Sequence, residues 1–252
     1  MFRCLSETIT KKTTVMISII IPTYNGSHIL EKELPLLKKY LIGTCLEFEI
    51  VVVDDGSDRN VELTERIVLA NSAIYIRCDQ NLGKGSAVRL GMNRAIGEFC
   101  FYTDVDVPFE YSAFEDFMNY FGQEDPDLVI GDRSLPESSY FKEVSFARKW
   151  GSAIFKSFSR ALLSRELCDT QCGFKGFKRS VVKDLFSLAR INGFAFDVEL
   201  LFIAIKHNYI IKRRPVILRN VETSSVSLIK HGPRMIWDLL RIRLNNMMNR
   251  YK

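Results

Sequence analysis

Residues 15–21 are apolar and mostly β-branched and stop at Pro22, the pattern of a strand buried on both faces. Residues 48–53 repeat it, and residues 73–77 read as a third strand. A fourth run, Phe99-Cys100-Phe101-Tyr102, leads through Thr103 into Asp104-Val105-Asp106. Between these strands, apolar residues recur at helical spacing over 28–41, 61–70 and 87–96. Pro35 predicts a kink in the first of these helices. Turn and cap residues fill the joints at 23–27, 54–58 and 81–86. Further on, the pattern predicts a short strand over 128–130 and a long amphipathic helix over 144–163, with Arg148, Lys149, Lys156 and Arg160 on its polar positions. A loop and strand start follow at 169–175, then helices over 180–189 and from 196, and a strand over 210–218. Strands alternating with helices predict an α/β fold, one doubly wound domain around a mostly parallel central sheet. Ligands on such sheets gather at the carboxyl ends of the strands. The segments at Tyr24-Asn25, Asp54-Asp55, 81–86 and Asp104–Asp106 should therefore meet on one rim.

Length and charge narrow this picture. The 252 residues suit one large domain. The formal charge of +5 is too mild for a nucleic-acid-binding protein and suits an anionic substrate or an anionic membrane surface. Six cysteines form no Cys-x-x-Cys pair and only three histidines are present, so no zinc site is expected. The thiols read as those of a reducing, cytoplasmic compartment. Residues 1–14 are a polar tail with no apolar signal-peptide segment. The longest uncharged stretch, 13–30, is broken by Pro22, Asn25 and Gly26 and reads as strand and loop, not as a membrane span.

The candidate chemistry lies in the joints. On an extended chain, carboxylates at 104 and 106 point to the same side. Ionising both is costly unless a cation lies between them. A hard divalent ion such as Mg²⁺ takes oxygen ligands and shares its remaining sites with substrate phosphates. Asp104 and Asp106 thus suggest a metal–diphosphate site, against the alternative of a plain acidic turn. Asp55 either accepts hydrogen bonds from a base or ribose or shares in capping the next helix. Gly83-Lys84-Gly85 at a helix start offers N–H groups and a cation to phosphate. It has neither the Walker nor the dinucleotide glycine spacing, which argues against an ATPase or a dehydrogenase.

Ile21-Pro22-Thr23-Tyr24-Asn25, Val53-Asp54-Asp55-Gly56-Ser57, Asn81-Leu82-Gly83-Lys84-Gly85 and Asp104-Val105-Asp106 together resemble the family 2 glycosyltransferases of GT-A fold, in order and in spacing. Asp169-Thr170-Gln171-Cys172-Gly173-Phe174-Lys175 and Phe196-Asp197-Val198-Glu199-Leu200-Leu201 resemble more specifically the branch that glucosylates dolichyl phosphate. The resemblance runs from about residue 15 to 244. It implies that Pro22, Tyr24, Asn25, Asp55, Lys84, Asp104 and Val105 bind the nucleotide sugar, and that Asp104 and Asp106 hold Mg²⁺ or Mn²⁺. Arg133, Arg148, Asp169 and Gln171 would meet the acceptor, the arginines gripping its phosphate. Arg148 reads equally well as part of a solvated helix face. A phosphate acceptor needs no strong base, whereas a sugar hydroxyl would need Asp197 or Asp169. Both carboxylates also have structural readings, Asp197 as an N-cap and Asp169 as a turn residue.

The implied reaction is an inverting, metal-dependent hexose transfer, with UDP-glucose as donor and a polyprenyl phosphate as acceptor. The alternatives are a sugar hydroxyl in a polysaccharide as acceptor, or another donor such as GDP-mannose. A nucleotidyltransferase would carry a glycine-rich, basic signature after the first strand, where this chain has Pro22-Thr23-Tyr24-Asn25. The expected organisation is a tail (1–14), a domain (15–232) with a nucleotide-sugar half (15–126) and an acceptor half (127–232), and a basic amphipathic helix (233–252). Members of that branch carry an N-terminal span, and none is expected here. A lipid acceptor would then be met peripherally, at the cytoplasmic face of a membrane. Residues 233–252 would either touch that membrane or pack back on the domain.

Overall fold

The first apolar run becomes β1 (Met16–Thr23), buried along all but its first residue. In chain order there follow α1 (Ser27–Ile42), β2 (Glu47–Asp54), α2 (Val61–Ala70), β3 (Ile74–Arg77), α3 (Lys84–Arg94) and β4 (Phe99–Tyr102). Next come α4 (Ala113–Glu124), β5 (Leu128–Gly131), β6 (Lys175–Lys178), α5 (Arg179–Leu188), α6 (Phe196–Lys206), β7 (Ile211–Arg214) and α7 (Leu228–Met247). This computed structural model describes residues 15–139, 155, 157–161, 169–219 and 228–252. Most of the predicted helix 144–163, Arg148 included, lies outside the described residues; within it, residues 157–161 are helical.

The strands form one seven-stranded sheet in the order β3-β2-β1-β4-β6-β5-β7. β6 pairs antiparallel with both β4 and β5, and every other pairing is parallel. The predicted α/β class and mostly parallel sheet are present. Although β1 reads as continuously apolar, it serves two cores. Ile20 packs with Val51, Val53 and Tyr102 beneath α3, α5, α6 and α7. Ile17, Ile19 and Ile21 pack with Val52 and Phe101 beneath α1, α2 and α4. A sheet covered on both faces needs strands without a polar side.

Several boundaries differ from the sequence reading. β1 continues through Pro22 to Thr23. Pairing with β4 stops at Ile20, so the N–H that Pro22 lacks faces no strand on that side. α3 begins at Lys84 rather than 87 and takes Gly85 and Ser86 into its first turn. β4 ends at Tyr102, short of the acidic pair. α1 runs through Pro35, which is exposed on the helix surface. α4 has no counterpart among the predicted elements, although Phe114, Phe117 and Phe121 mark its buried stripe. α7 starts before residue 233 and contributes Met235, Leu239 and Ile242 to the same core as α5 and α6. Among the described residues no helix is long and apolar enough to cross a membrane.

Candidate active site

Loops from β1, β2 and β4 meet at the carboxyl edge of the sheet. Asn25 sits in the left-handed region with φ 53°. Its N–H donates to Ser57 Oγ (2.8 Å), its amide to Asp58 Oδ1 (2.6 Å), and its Oδ1 accepts from the Arg59 N–H (3.1 Å). The side chain of Asn25 is thus committed to joining two loops. Asp54 is fully buried and accepts from the Ser57 N–H and the Tyr75 hydroxyl, both at 2.8 Å. Pro22 is buried beneath the rim, and Tyr24 stands out from it, 47% exposed.

Asp55 is buried, and both its oxygens are engaged: Oδ1 accepts from the Leu82 N–H (3.0 Å) and Oδ2 from the Gly83 N–H (2.8 Å). Burial pushes its pKa up, and those two donors pull against the shift. It does not cap α2, whose N-cap is Asn60. Asp55 therefore fixes the loop that opens α3. The expected phosphate cradle at that helix start is also filled in part from within. The N–H groups of Gly85 and Ser86 donate to Asn192 O at 2.7 and 3.4 Å. Lys84 keeps its side chain for the rim, where Nζ lies 2.6 Å from Asp104 Oδ1. Burial works against that ammonium, and Asp104, Asp197 and Asp106 outweigh it, so its pKa lies above the ordinary lysine value.

The acidic pair is built on a turn. The Val107 N–H donates to Asp104 O (3.0 Å), and Val107 itself takes φ 35°. The extended-chain argument for their common direction therefore fails, because the chain turns at residues 105 and 106. Val105 lies on this turn, against the Cα side of Gly26. Burial and the charge of Asp104 push the Asp106 carboxyl up to about 7. The pair is thus short of positive charge even beside Lys84. Among the described residues no third His, Cys, Asp or Glu joins it. Such a set suits a divalent ion whose remaining ligands come from a diphosphate and water. Two rim hydroxyls, Thr23 Oγ1 and Thr103 Oγ1, are buried without a hydrogen-bond partner among the described residues.

Among the residues expected to meet the acceptor, Arg133 is bound to Asp169 rather than standing apart from it. Its Nε and Nη2 reach Asp169 Oδ2 and Oδ1 at 2.7 and 2.8 Å, and its N–H donates to Oδ2 at 2.9 Å. Burial raises the Asp169 pKa, but the hydrogen bonds and charge of Arg133 reverse this and leave it lowered. Asp197 lies in the first turn of α6 and is not its N-cap, which is Ala195. Buried Lys175 donates to Asp197 Oδ1 (2.6 Å) and to the carbonyls of Thr170 (3.0 Å) and Cys172 (2.7 Å). The hydroxyl of Tyr102 also donates to Asp197 Oδ1. Gln171 lies half-buried beside this cluster in sequence.

Sequence reasoning missed four residues that shape the site. Lys175 and Tyr102 hold Asp197, and the Asn192 carbonyl accepts from the first turn of α3. Gly173 passes so close to Asp104 that a Cβ there would overlap the carboxylate. Only the Gly173 signal was legible, as a glycine inside a motif next to a strand.

The chain matches the family described as "Glycosyl transferase family 2" over residues 18–186. It is 31% identical to the dolichyl-phosphate beta-glucosyltransferase of Dictyostelium discoideum, across 94% of this chain and 77% of the relative. With the human dolichyl-phosphate beta-glucosyltransferase it shares 27% identity across 95% of this chain and 78% of the relative. Among solved structures it resembles Mycobacterium tuberculosis glucosyl-3-phosphoglycerate synthase in complex with Mn²⁺, UDP and glucosyl-3-phosphoglycerate. That likeness has a TM-score of 0.66 at 19% identity, over 91% of this chain and 80% of the other. Mannosyl-3-phosphoglycerate synthase from Rubrobacter xylanophilus gives a TM-score of 0.70 at 15% identity, over 94% and 76%.

Proposed function

The chain belongs to glycosyltransferase family 2, and from that premise we propose that it moves glucose from UDP-glucose to the phosphate of a polyprenyl lipid. The donor lies across the rim, with Tyr24 against the nucleobase, Asp55 holding the loop beneath it, and Lys84 and the 104–106 turn at the diphosphate. Asp104 and Asp106 hold Mg²⁺ or Mn²⁺. The ion supplies positive charge to the diphosphate as its bond to the sugar breaks. Lys84 then leaves Asp104 and turns its ammonium to the same phosphates. The bond from the anomeric carbon to the diphosphate breaks, its electron pair leaving with the nucleoside diphosphate. An acceptor phosphate oxygen supplies the pair for the new bond from the opposite face, inverting the configuration.

The observation that carries the choice of acceptor is that both candidate bases are tied up in ion pairs. Asp169 is locked to Arg133, with its pKa lowered, and Asp197 is buried against Lys175. A phosphate is already ionised near neutral pH and needs neither. Arg133, with Asp169 orienting it, Gln171 and Arg148 form the acceptor side. The lipid is reached through α7 and the residues after it, where Trp237, Leu240, Leu244, Met247 and Met248 are exposed among Arg234, Arg241, Arg243, Arg250 and Lys252. Apolar side chains ringed by cations suit the headgroup boundary of an anionic membrane. The test is incubation with a panel of nucleotide sugars and either a polyprenyl phosphate or an oligosaccharide, with products identified by mass. Glucosyl polyprenyl phosphate from UDP-glucose is expected, and transfer to the oligosaccharide alone would overturn the reading.

A further inference from the structure

A chain of buried contacts joins the residues after α7 to the loop that carries Lys84. Glu199, on α6, is fully buried. Its Oε1 accepts from the hydroxyl of Tyr251 at 2.5 Å. Its Oε2 accepts from the N–H groups of Arg190 at 2.9 Å and Ile191 at 2.7 Å. Those two peptides stand just before Asn192, whose carbonyl takes the N–H groups of Gly85 and Ser86. The fit there is close: a Cβ on Gly83 would lie 2.5 Å from Asn192 O, and one on Gly85 would lie 2.7 Å from Ile191 O. Arg89 of α3 binds the same loop, donating to Ala189 O at 3.2 Å and to Asn192 Oδ1 at 2.6 Å. Tyr251 is itself fixed, its hydroxyl accepting from Asn245 Nδ2 at 3.2 Å and its carbonyl lying 3.1 Å from His207 Nε2.

We infer that Glu199 and Tyr251 are positioning residues for the donor, setting the place of Lys84 through the 190–192 loop. The inference rests on the reading that Lys84 serves the donor diphosphate. Glu199 is a buried carboxylate held by three donors, and taking one away leaves charge uncompensated in the core. The carboxylate must then shift or gain a proton, and either change alters its hold on the Arg190 and Ile191 N–H groups. The close fit of Gly83 and Gly85 against that loop passes the displacement on. Asp55 anchors the Leu82 and Gly83 N–H groups just ahead of α3, so the position of Lys84 is defined by two buried carboxylates, Asp55 and Glu199.

The experiment uses the whole chain with Tyr251→Phe, which keeps the ring and removes only the hydroxyl. Hydrogen exchange is followed in the peptide covering 81–88, and UDP affinity is measured with Mn²⁺ present. A second variant, Phe186→Leu in the core on α5, serves as a control for general loss of stability. Tyr251→Phe should speed exchange at Gly85 and Ser86 and weaken UDP about tenfold, the size expected for losing a hydrogen bond to a charged group. The acceptor KM should be unchanged, and Phe186→Leu should change neither quantity. Unaltered exchange in Tyr251→Phe overturns the inference whatever UDP does. Lys84→Ala separates the two layers. If it leaves UDP affinity intact, the donor reading of Lys84 falls; if it weakens UDP while Tyr251→Phe does not, the positioning role falls.

Discussion

Position 173 has no room for a methyl group, because Gly173 lies against the carboxylate of Asp104. Gly173→Ala should therefore displace Asp104 and abolish transfer while the far strands stay folded. Its circular dichroism should match the wild type and its Mn²⁺-dependent UDP binding should be lost; retained binding would show that Asp104 does not need that neighbour. Arg133→Ala tests the acceptor side and should cost roughly 2–5 kcal/mol if it leaves a desolvated phosphate unpaired. The loss should fall on acceptor KM or turnover, and an equal loss in donor binding would move Arg133 to the nucleotide pocket. The Asp169 pair also has a pH signature. Burial raises its pKa but the Arg133 bonds win, so the folded value lies below the unfolded one of about 3.9. A depressed carboxyl stabilises above its unfolded pKa, and that stability is lost as pH falls through the folded value. The stability gap between wild type and Asp169→Asn, measured by urea unfolding, should hold near neutral pH and close below pH about 4.

At the scale of elements, the strands and most helices could be read from periodicity, because a two-sided core demands apolar runs and the covering helices need one apolar stripe. α4 escaped that reading, since Phe114 and Phe117 of its stripe pack edge-on and tilted against Phe174 on β6's approach, a partner distant in sequence. The rim's location was legible from residues such as Asp54, Asp55 and Asp104, at or just past the ends of strands. Its internal bonding was not: Asp55 to Leu82, Lys84 to Asp104 and Arg133 to Asp169 are tertiary pairs that no local pattern encodes. α7 shows both sides of the same limit. Sequence gave two alternatives for 233–252, and the helix does pack inward through Leu239 while leaving Trp237 60% exposed. Five basic side chains there, each contributing about 1 kcal/mol near an anionic surface, should bring the full chain down with anionic liposomes at low salt. Trp237→Glu with Leu240→Glu should leave it in the supernatant, and wild-type protein that stays there would remove α7 from the membrane.

For the whole molecule, the sheet order sets the active edge. β1 sits between β2 and β4, so the loops bearing Asn25, Asp55, Gly83 and Asp104 come from one parallel block, β3-β2-β1-β4. The reversed β6 and the segment leading into it then bring Lys175 and Gly173 back past Asp197 and Asp104. In the proposed function, donor and acceptor sides meet at the 104–106 turn, and the account depends on that turn as a cation–diphosphate site. The most direct measurement is glucosyl transfer to polyprenyl phosphate by wild type and by Asp106→Ala, with Mn²⁺ and with excess chelator. Wild-type transfer should vanish in chelator and return with Mn²⁺, while folded Asp106→Ala stays inactive throughout. Full turnover by Asp106→Ala, or by wild type in chelator, would contradict it.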